Sequence, residues 1–307
     1  MSDRGALRDL EARSLWLCSD LHGHWDDYAA VRSAFERQAA EQDALVFLGD
    51  LIHARGYGYA DQSLRIINDL RLRPDARIVC LLGNHELMHL YHWHVSRGRA
   101  QGDYVAEFEQ AMGADRAAIM RWLAAQPVAL RWQNGLLHHT GASERVLRTD
   151  ATPTYPFVRE WDHGAMLARI CEQSGSGVRD VWGHFQPQLG EYFATTRTGR
   201  FVWDSWFTKN EQLYGARIYE NLVTEMLDVY SAGYSCRLQW LVTGHIPTSE
   251  GYALVGERQL RLCSSAGASP AMGRLLCLQA AASYRSAADL VAGLRYLRDG
   301  AAQRGIL

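Results

Sequence analysis

The chain has 307 residues, 48% of them apolar and 21% charged, enough for one large domain or two ordinary ones around a sizeable buried core. With 32 basic and 34 acidic side chains the formal net charge is -2, which gives no support to a nucleic-acid duplex or a membrane surface as partner. The first residues, MSDRGALRDLEARSLWLC, lack the apolar core of a signal peptide, no run of about 18 apolar residues occurs, and the six scattered cysteines form no C-x-x-C pair. These features predict a cytoplasmic location, buried thiols, and neither a membrane span nor a zinc–cysteine site.

In chain order, SLWLCS (14–19) reads as a first strand and WDDYAAVRSAFERQAA (25–40) as a helix. ALVFLG (44–49), ADQSLRIINDLR (60–71) and RIVCLLG (77–83) continue as strand, helix and strand. Continuous rather than alternating apolar runs are expected of strands covered on both faces, so this βαβαβ beginning predicts a layered α/β domain. Residues 87–134 look helical, including AEFEQAMGADRAAIMRWLAAQ just before Pro127. GLLHHT (135–140) is the next strand; residues 144–178 and 205–237 read as helical or irregular, with RDVWGH (179–184) as a strand between them. LQWLVTGH (238–245), LRLCSSAG (260–267) and RLLCLQA (274–280) then follow closely, which predicts added antiparallel or mixed sheet. The whole reads as one domain over 1–307, with helical insertions at about 87–134 and 144–237.

Polar residues gather at the ends of these strands. CSDLHGH puts Asp20 and His22 after the first, FLGD puts Asp50 after the second, and LLGNHE puts Asn84, His85 and Glu86 after the third. LLHHTG supplies His138 and His139, and VTGHIP supplies His245. The carboxyl ends of strands are where open α/β sheets form their sites. Carboxylate, amide and imidazole ligands suit divalent Mn, Fe or Zn, and a pair of such ions needs a bridging carboxylate to clamp an in-line displacement at phosphorus. Asp20 and His22 would hold one ion, Asn84, His139 and His245 the other, and Asp50 would bridge, with a water or hydroxide as nucleophile. His138 beside His139, and the Gly-His of His184, are competitors for the same roles. His89, His92 and His94 follow in ELMHLYHWHV; ordinary packing or surface histidines are the preferred reading over a third metal site.

These fragments, SDLHG, GDLIHARG, LLGNHE, HTG and TGH in this order, resemble the calcineurin-like metallophosphoesterases, in particular the phosphoprotein-phosphatase branch and its bacterial Shewanella-like members. The similarity covers roughly residues 14–145 and 200–280. It implies a two-sheet α/β/β/α sandwich with helical insertions near the mouth of the site, and two divalent ions. Aligning HTGAS on the family's H-G-G favours His139 over His138, and the residues after His245 favour it over His184. His85 matches the family's general acid, and Arg55 a phosphate-binding arginine. The family's G-D-x-x-D-R-G departs here: His53 or Ala54 stands where the Asp that orients the general acid is expected, so that partner reads as missing, and Arg55 comes one residue late. Ser205, in VWDSWF, stands where a second phosphate-binding arginine is expected. His53, His184 and Trp203 are further candidates to line the site. The function implied is hydrolysis of a phosphomonoester, protein or small molecule. The alternatives are a nucleotide-directed hydrolase acting on dinucleoside polyphosphates or diesters, and a metal-retaining binding protein.

Overall fold

A computed structural model describes residues 7–53, 59–94, 103–143, 162–175, 180–206, 210–265 and 272–297. The first half runs β1 (Leu7–Asp9), β2 (Ser14–Cys18), α1 (Trp25–Gln38), β3 (Asp43–Phe47), α2 (Ala60–Leu72), β4 (Ile78–Cys80), α3 (Asn84–Leu90), α4 (Tyr104–Met112), α5 (Arg116–Ala124), β5 (Ala129–Trp132) and β6 (Gly135–His138). The second half runs α6 (His163–Ser174), α7 (Gln188–Thr195), α8 (Arg197–Trp206), α9 (Asn210–Tyr214), α10 (Ala216–Gly233), β7 (Trp240–Thr243), β8 (Tyr252–Val255), β9 (Gln259–Leu262), β10 (Arg274–Gln279), α11 (Ala287–Leu290) and β11 (Leu294–Tyr296).

The strands form two mixed sheets, ordered β11-β10-β2-β3-β4 and β1-β5-β6-β7-β9-β8. Within the first, β2, β3 and β4 are parallel; within the second, β6, β7 and β9 are parallel. The alternation of side chains along each strand explains the continuous apolar runs. Leu15, Leu17, Val46 and Leu81 face Leu130, Trp132, Leu137, Val242 and Leu260 in the core between the sheets. The intervening residues Trp16, Cys18 and Phe47 face outward and are covered by Tyr28 and Phe35 of α1 and Ile66 and Ile67 of α2. The result is the expected α/β/β/α sandwich. The chain leaves β6 and returns as β7, its parallel neighbour, so the helices between them form one long crossover.

Two expectations change. Residues 87–134 are not wholly helical: β5 pairs antiparallel with β6 through a tight turn in which Gln133 takes a φ of 53°. Four residues are too few to show a strand period. RDVWGH is not a strand in its described part; residues 180–184 form a turn, because the Asp180 carboxylate accepts the Gly183 N–H at 2.8 Å. The short strands β1, β8 and β11 carried no signal of their own.

Candidate metal centre

The parallel strands deliver the loops after β2, β3, β4, β6 and β7 to one edge, and hydrogen bonds stitch them together. Asp20 N–H donates to the Gly49 carbonyl at 3.2 Å, and Gly244 N–H to the His139 carbonyl at 2.9 Å. Two glycines make the approach close enough. Gly49 has a φ of 103°, and a Cβ on Gly83 would lie 2.1 Å from Asp50 Oδ1. The polar residues that cluster here are themselves strained: Asp20, His22, Asp50, His53 and His245 have φ values of 54°, 46°, 53°, 66° and 71°. Non-glycine residues in this left-handed region cost energy, and they gather where surrounding structure holds side chains to a purpose.

Glu86 is what holds the Asp50 turn. It stands at the third position of α3 and accepts the Gly83 N–H at 2.8 Å, half of a capping box. The same carboxylate accepts N–H groups from Asp50 at 3.0 Å, Leu51 at 2.8 Å and Ile52 at 3.3 Å. Asp50 Oδ1 in turn accepts the His85 N–H at 3.0 Å. Its other oxygen, Oδ2, is left 3.4 Å from His139 Nε2, 3.7 Å from His22 Nε2 and 4.0 Å from His85 Nε2.

Around that oxygen the sequence-predicted ligands converge. His139 Nδ1–H donates to the Leu48 carbonyl at 2.8 Å, and His22 Nδ1–H to the His53 carbonyl at 3.1 Å. Both rings thereby turn Nε2 to the centre, where a cation would displace any proton it carries, the arrangement that backbone carbonyls impose on ligating histidines. Asn84 Oδ1 lies 3.2 Å from His139 Nε2 and 2.8 Å from His245 Nδ1. Asp20 lies 3.9 Å from His22 Nε2 through Oδ1, and its carboxylate is fixed by the His245 N–H at 3.0 and 3.1 Å and the Ser19 hydroxyl at 2.5 Å. His138 is not part of the convergence; its Nδ1 accepts the Gly141 N–H at 3.2 Å and shapes the turn that presents His139.

The donor set fits divalent cations. Ligand atoms about 2.1 Å from one ion sit roughly 3–3.4 Å apart. The separations among Asn84, His139, His245 and Asp50 match this. His22, Asp50 and His85 form a second cluster around the same carboxylate. The charge balance agrees. Burial, reinforced by the charge of Asp50, pushes the Asp20 carboxyl up against the opposing pull of His139 and His22. Burial raises the Glu86 carboxyl too, again with help from Asp50. Burial alone would lower His139, but Asp50, Asp20 and Glu86 together push it up to about 9. Three carboxylates buried side by side make a site for positive charge.

The remaining candidates fall into place as follows. Arg55 lies outside the described residues. His184 sits exposed in the 180–184 turn. Trp203 packs edge-on against Trp93 with ring centroids 4.3 Å apart. Ser205 is within α8, its hydroxyl bonded to the Phe201 carbonyl at 2.8 Å, and its own carbonyl accepts the Thr140 hydroxyl at 2.7 Å, beside His139. Where the family's orienting Asp is expected, an imidazole stands beside His85: His53 Nδ1 is 3.0 Å from His85 Nδ1. Burial, with His89 and His85 beside it, holds His53 well below the ordinary imidazole range. Sequence reasoning missed two residues behind it. His89 Nε2 lies 2.7 Å from His53 Nε2, and His89 Nδ1 lies 2.6 Å from Glu109 Oε1.

The family profile for calcineurin-like phosphoesterases matches residues 13–249. Among solved structures, the chain is similar to a cold-active protein-tyrosine phosphatase of a psychrophilic Shewanella species, at 17% identity and a TM-score of 0.54, covering 91% of this chain and 78% of that one. It is also similar to a protein serine/threonine phosphatase from Saccharomyces cerevisiae, described as similar to human phosphatase PP5, at 14% identity and a TM-score of 0.53, covering 94% and 82%. Likeness at these identities speaks to the fold. No curated protein matches the sequence.

Proposed function

The chain belongs to the calcineurin-like phosphoesterases, and from that premise we propose that it is a phosphomonoesterase with a dinuclear metal centre. The observation that carries this reading is the convergence of ligand atoms from five strand ends on Asp50 Oδ2, with the His85 ring beside them. Asp20 and His22 would hold one ion and Asn84, His139 and His245 the other, with Asp50 between them. The bound ions would supply Lewis acidity, polarising the phosphoryl oxygens and acidifying a water.

The protein's own groups do the rest. Asp50 is split in function: Oδ1 is committed to the His85 backbone and Oδ2 to the centre. His85 presents Nε2 on the same side and would protonate the leaving oxygen as its bond to phosphorus breaks. Arg55 would hold a phosphoryl oxygen. The helical insertions are read as parts of the same domain, a reading supported for the one between β6 and β7 by the return of the chain to the neighbouring strand. The scatter of the six cysteines along the sequence, with no C-x-x-C pair, supports a reducing compartment such as the cytoplasm.

A diesterase or nucleotide-directed hydrolase is favoured over this reading by one observation. Ser205 is intrahelically bonded where a monoester dianion would gain from an arginine. The test is metal content together with rates on p-nitrophenyl phosphate and bis(p-nitrophenyl) phosphate, with Mn, Fe and Zn compared. Two ions per chain and a preference for the monoester support the proposal. A preference for the diester moves the assignment, and cleavage of neither ester by metal-loaded protein refutes hydrolysis.

A further inference from the structure

Behind His85 runs a line of buried polar groups that the metal centre does not use. His85 Nδ1 meets His53 Nδ1 at 3.0 Å, His53 Nε2 meets His89 Nε2 at 2.7 Å, and His89 Nδ1 meets Glu109 Oε1 at 2.6 Å. Glu109 Oε2 accepts the Arg116 Nε–H at 2.6 Å, and Arg116 also donates to the His89 carbonyl at 3.2 Å and the Trp182 carbonyl at 2.5 Å. His53, His89 and Arg116 are at most 4% exposed. The helix α4 builds most of the setting. Its Tyr104 and Phe108 rings lie 4.6 and 5.8 Å from the His53 ring, Phe108 lies 5.0 Å from His89, and Glu109 follows directly.

The chemistry gives this line a direction. A carboxylate held by an arginine only accepts, so His89 carries its hydrogen on Nδ1 and turns a lone pair to His53. His53 must then donate from Nε2 and accept on Nδ1. His85 must donate from Nδ1, so the proton it gives to a leaving group is a second one, carried on Nε2 of the imidazolium, and Nε2 faces the centre 4.0 Å from Asp50 Oδ2. His89 and His53 pass on the direction of the hydrogen bonds as neutral rings, and the lone pair on His53 Nδ1 accepts from the cationic His85 ring. We propose that Glu109 and His89, acting through His53, are positioning residues that fix the ring orientation of His85 and hold an acceptor to its Nδ1–H, so that the transferable proton sits on Nε2. The inference rests on the reading of His85 as general acid given above.

Glu109→Gln is the sharpest variant, because an amide can turn either its oxygen or its N–H to His89 and so removes the direction while keeping the shape. On full-length, metal-loaded protein, kcat should fall about 10- to 100-fold for phenyl phosphate, whose leaving group needs a proton, and no more than about threefold for 2,4-dinitrophenyl phosphate, whose leaving group does not. KM and metal content should hold. Equal losses on both esters, or no loss, would overturn the proposal, since Glu109 would then serve only to anchor Arg116. A second measurement uses the wild-type sequence and no activity. Long-range proton–nitrogen NMR on the zinc-loaded chain should find a hydrogen on Nδ1 and not Nε2 of His89, on Nε2 and not Nδ1 of His53, and on Nδ1 of His85, whether or not its Nε2 is also protonated. Any other set, or an even mixture at His89, would overturn the proposal even if Glu109→Gln failed to fold. If wild-type protein cleaves neither ester, the hydrolase reading falls, and the NMR still decides the relay.

Discussion

Glu86→Gln tests how the site is held, separately from what it does. The Glu86 carboxylate accepts four backbone N–H groups: Gly83 and Asp50 on one oxygen, Leu51 and Ile52 on the other. A glutamine keeps one acceptor oxygen and turns an N–H pair toward the other two donors. Two hydrogen bonds to a charged acceptor are lost, at about 1.5–3 kcal/mol each, so the gross cost is roughly 3–6 kcal/mol. An offset acts in the other direction, because a neutral amide escapes the burial and the repulsion from Asp50 that raise the Glu86 carboxyl. A net loss of about 2–4 kcal/mol is expected, a large part of a typical folding free energy. Because Asp50 takes its left-handed conformation within this turn, metal affinity should fall as well, by about 10- to 100-fold. Urea unfolding of metal-free protein and titration calorimetry with manganese would measure the two effects. A stability change below about 1 kcal/mol with unaltered affinity would show that the four N–H groups find other partners, and would refute the reasoning.

Three further outcomes are expected. Gly83→Ala should lower metal occupancy and thermal stability together, because its Cβ would sit 2.1 Å from Asp50 Oδ1; plasma emission analysis and a melting curve check it. His85→Gln should lower kcat by about 10²–10⁴-fold on phenyl phosphate while two ions remain bound, whereas loss of the ions would make His85 a ligand instead. His92 should make the fold acid-sensitive: burial, and then Arg116, hold its ring down to about 4 from 6.5, while Nε2–H donates to the Val181 carbonyl at 2.9 Å and Nδ1 accepts the Gln186 N–H at 3.0 Å. The unfolded chain therefore takes the proton first, and stability present above pH 6.5 is lost as pH falls to about 4, by roughly 3 kcal/mol. His92→Gln should flatten the pH dependence of the urea midpoint over that range, and parallel curves for the two proteins would count against it.

What the sequence disclosed is what a few neighbouring residues encode. Asp20, His22, Asp50, Asn84, His139 and His245 each follow a strand within four residues, so finding the strand found the side chain. The parallel order of β2, β3 and β4 then carries their ends to one edge. The hairpin of β5 with β6 was hidden because four residues between a helix and a turn have no period to detect. The support behind His85 was hidden for a different reason. Glu109 is 20 positions from His89 and 56 from His53, and only the packing of α4 against α2 and α3 brings them into line. No spacing rule links residues that meet through the faces of separate helices.

The altered stretch GDLIHARG can be understood through charge. The family pattern places an aspartate against the general acid and a second arginine against the phosphate. Here a neutral His53 meets His85, and on the sequence alignment Ser205 falls where the arginine is expected. On that alignment one negative and one positive charge of the family pattern are absent together. Orientation of His85 still needs an acceptor with a fixed sense. On the reading proposed above the carboxylate that supplies it is Glu109, set back from His85 by two imidazoles and paired with Arg116, where its field on a bound phosphate would be weaker. Replacing Ser205 with arginine alone would therefore add an unbalanced charge rather than restore the family's site, and replacing His53 with aspartate alone would do the reverse.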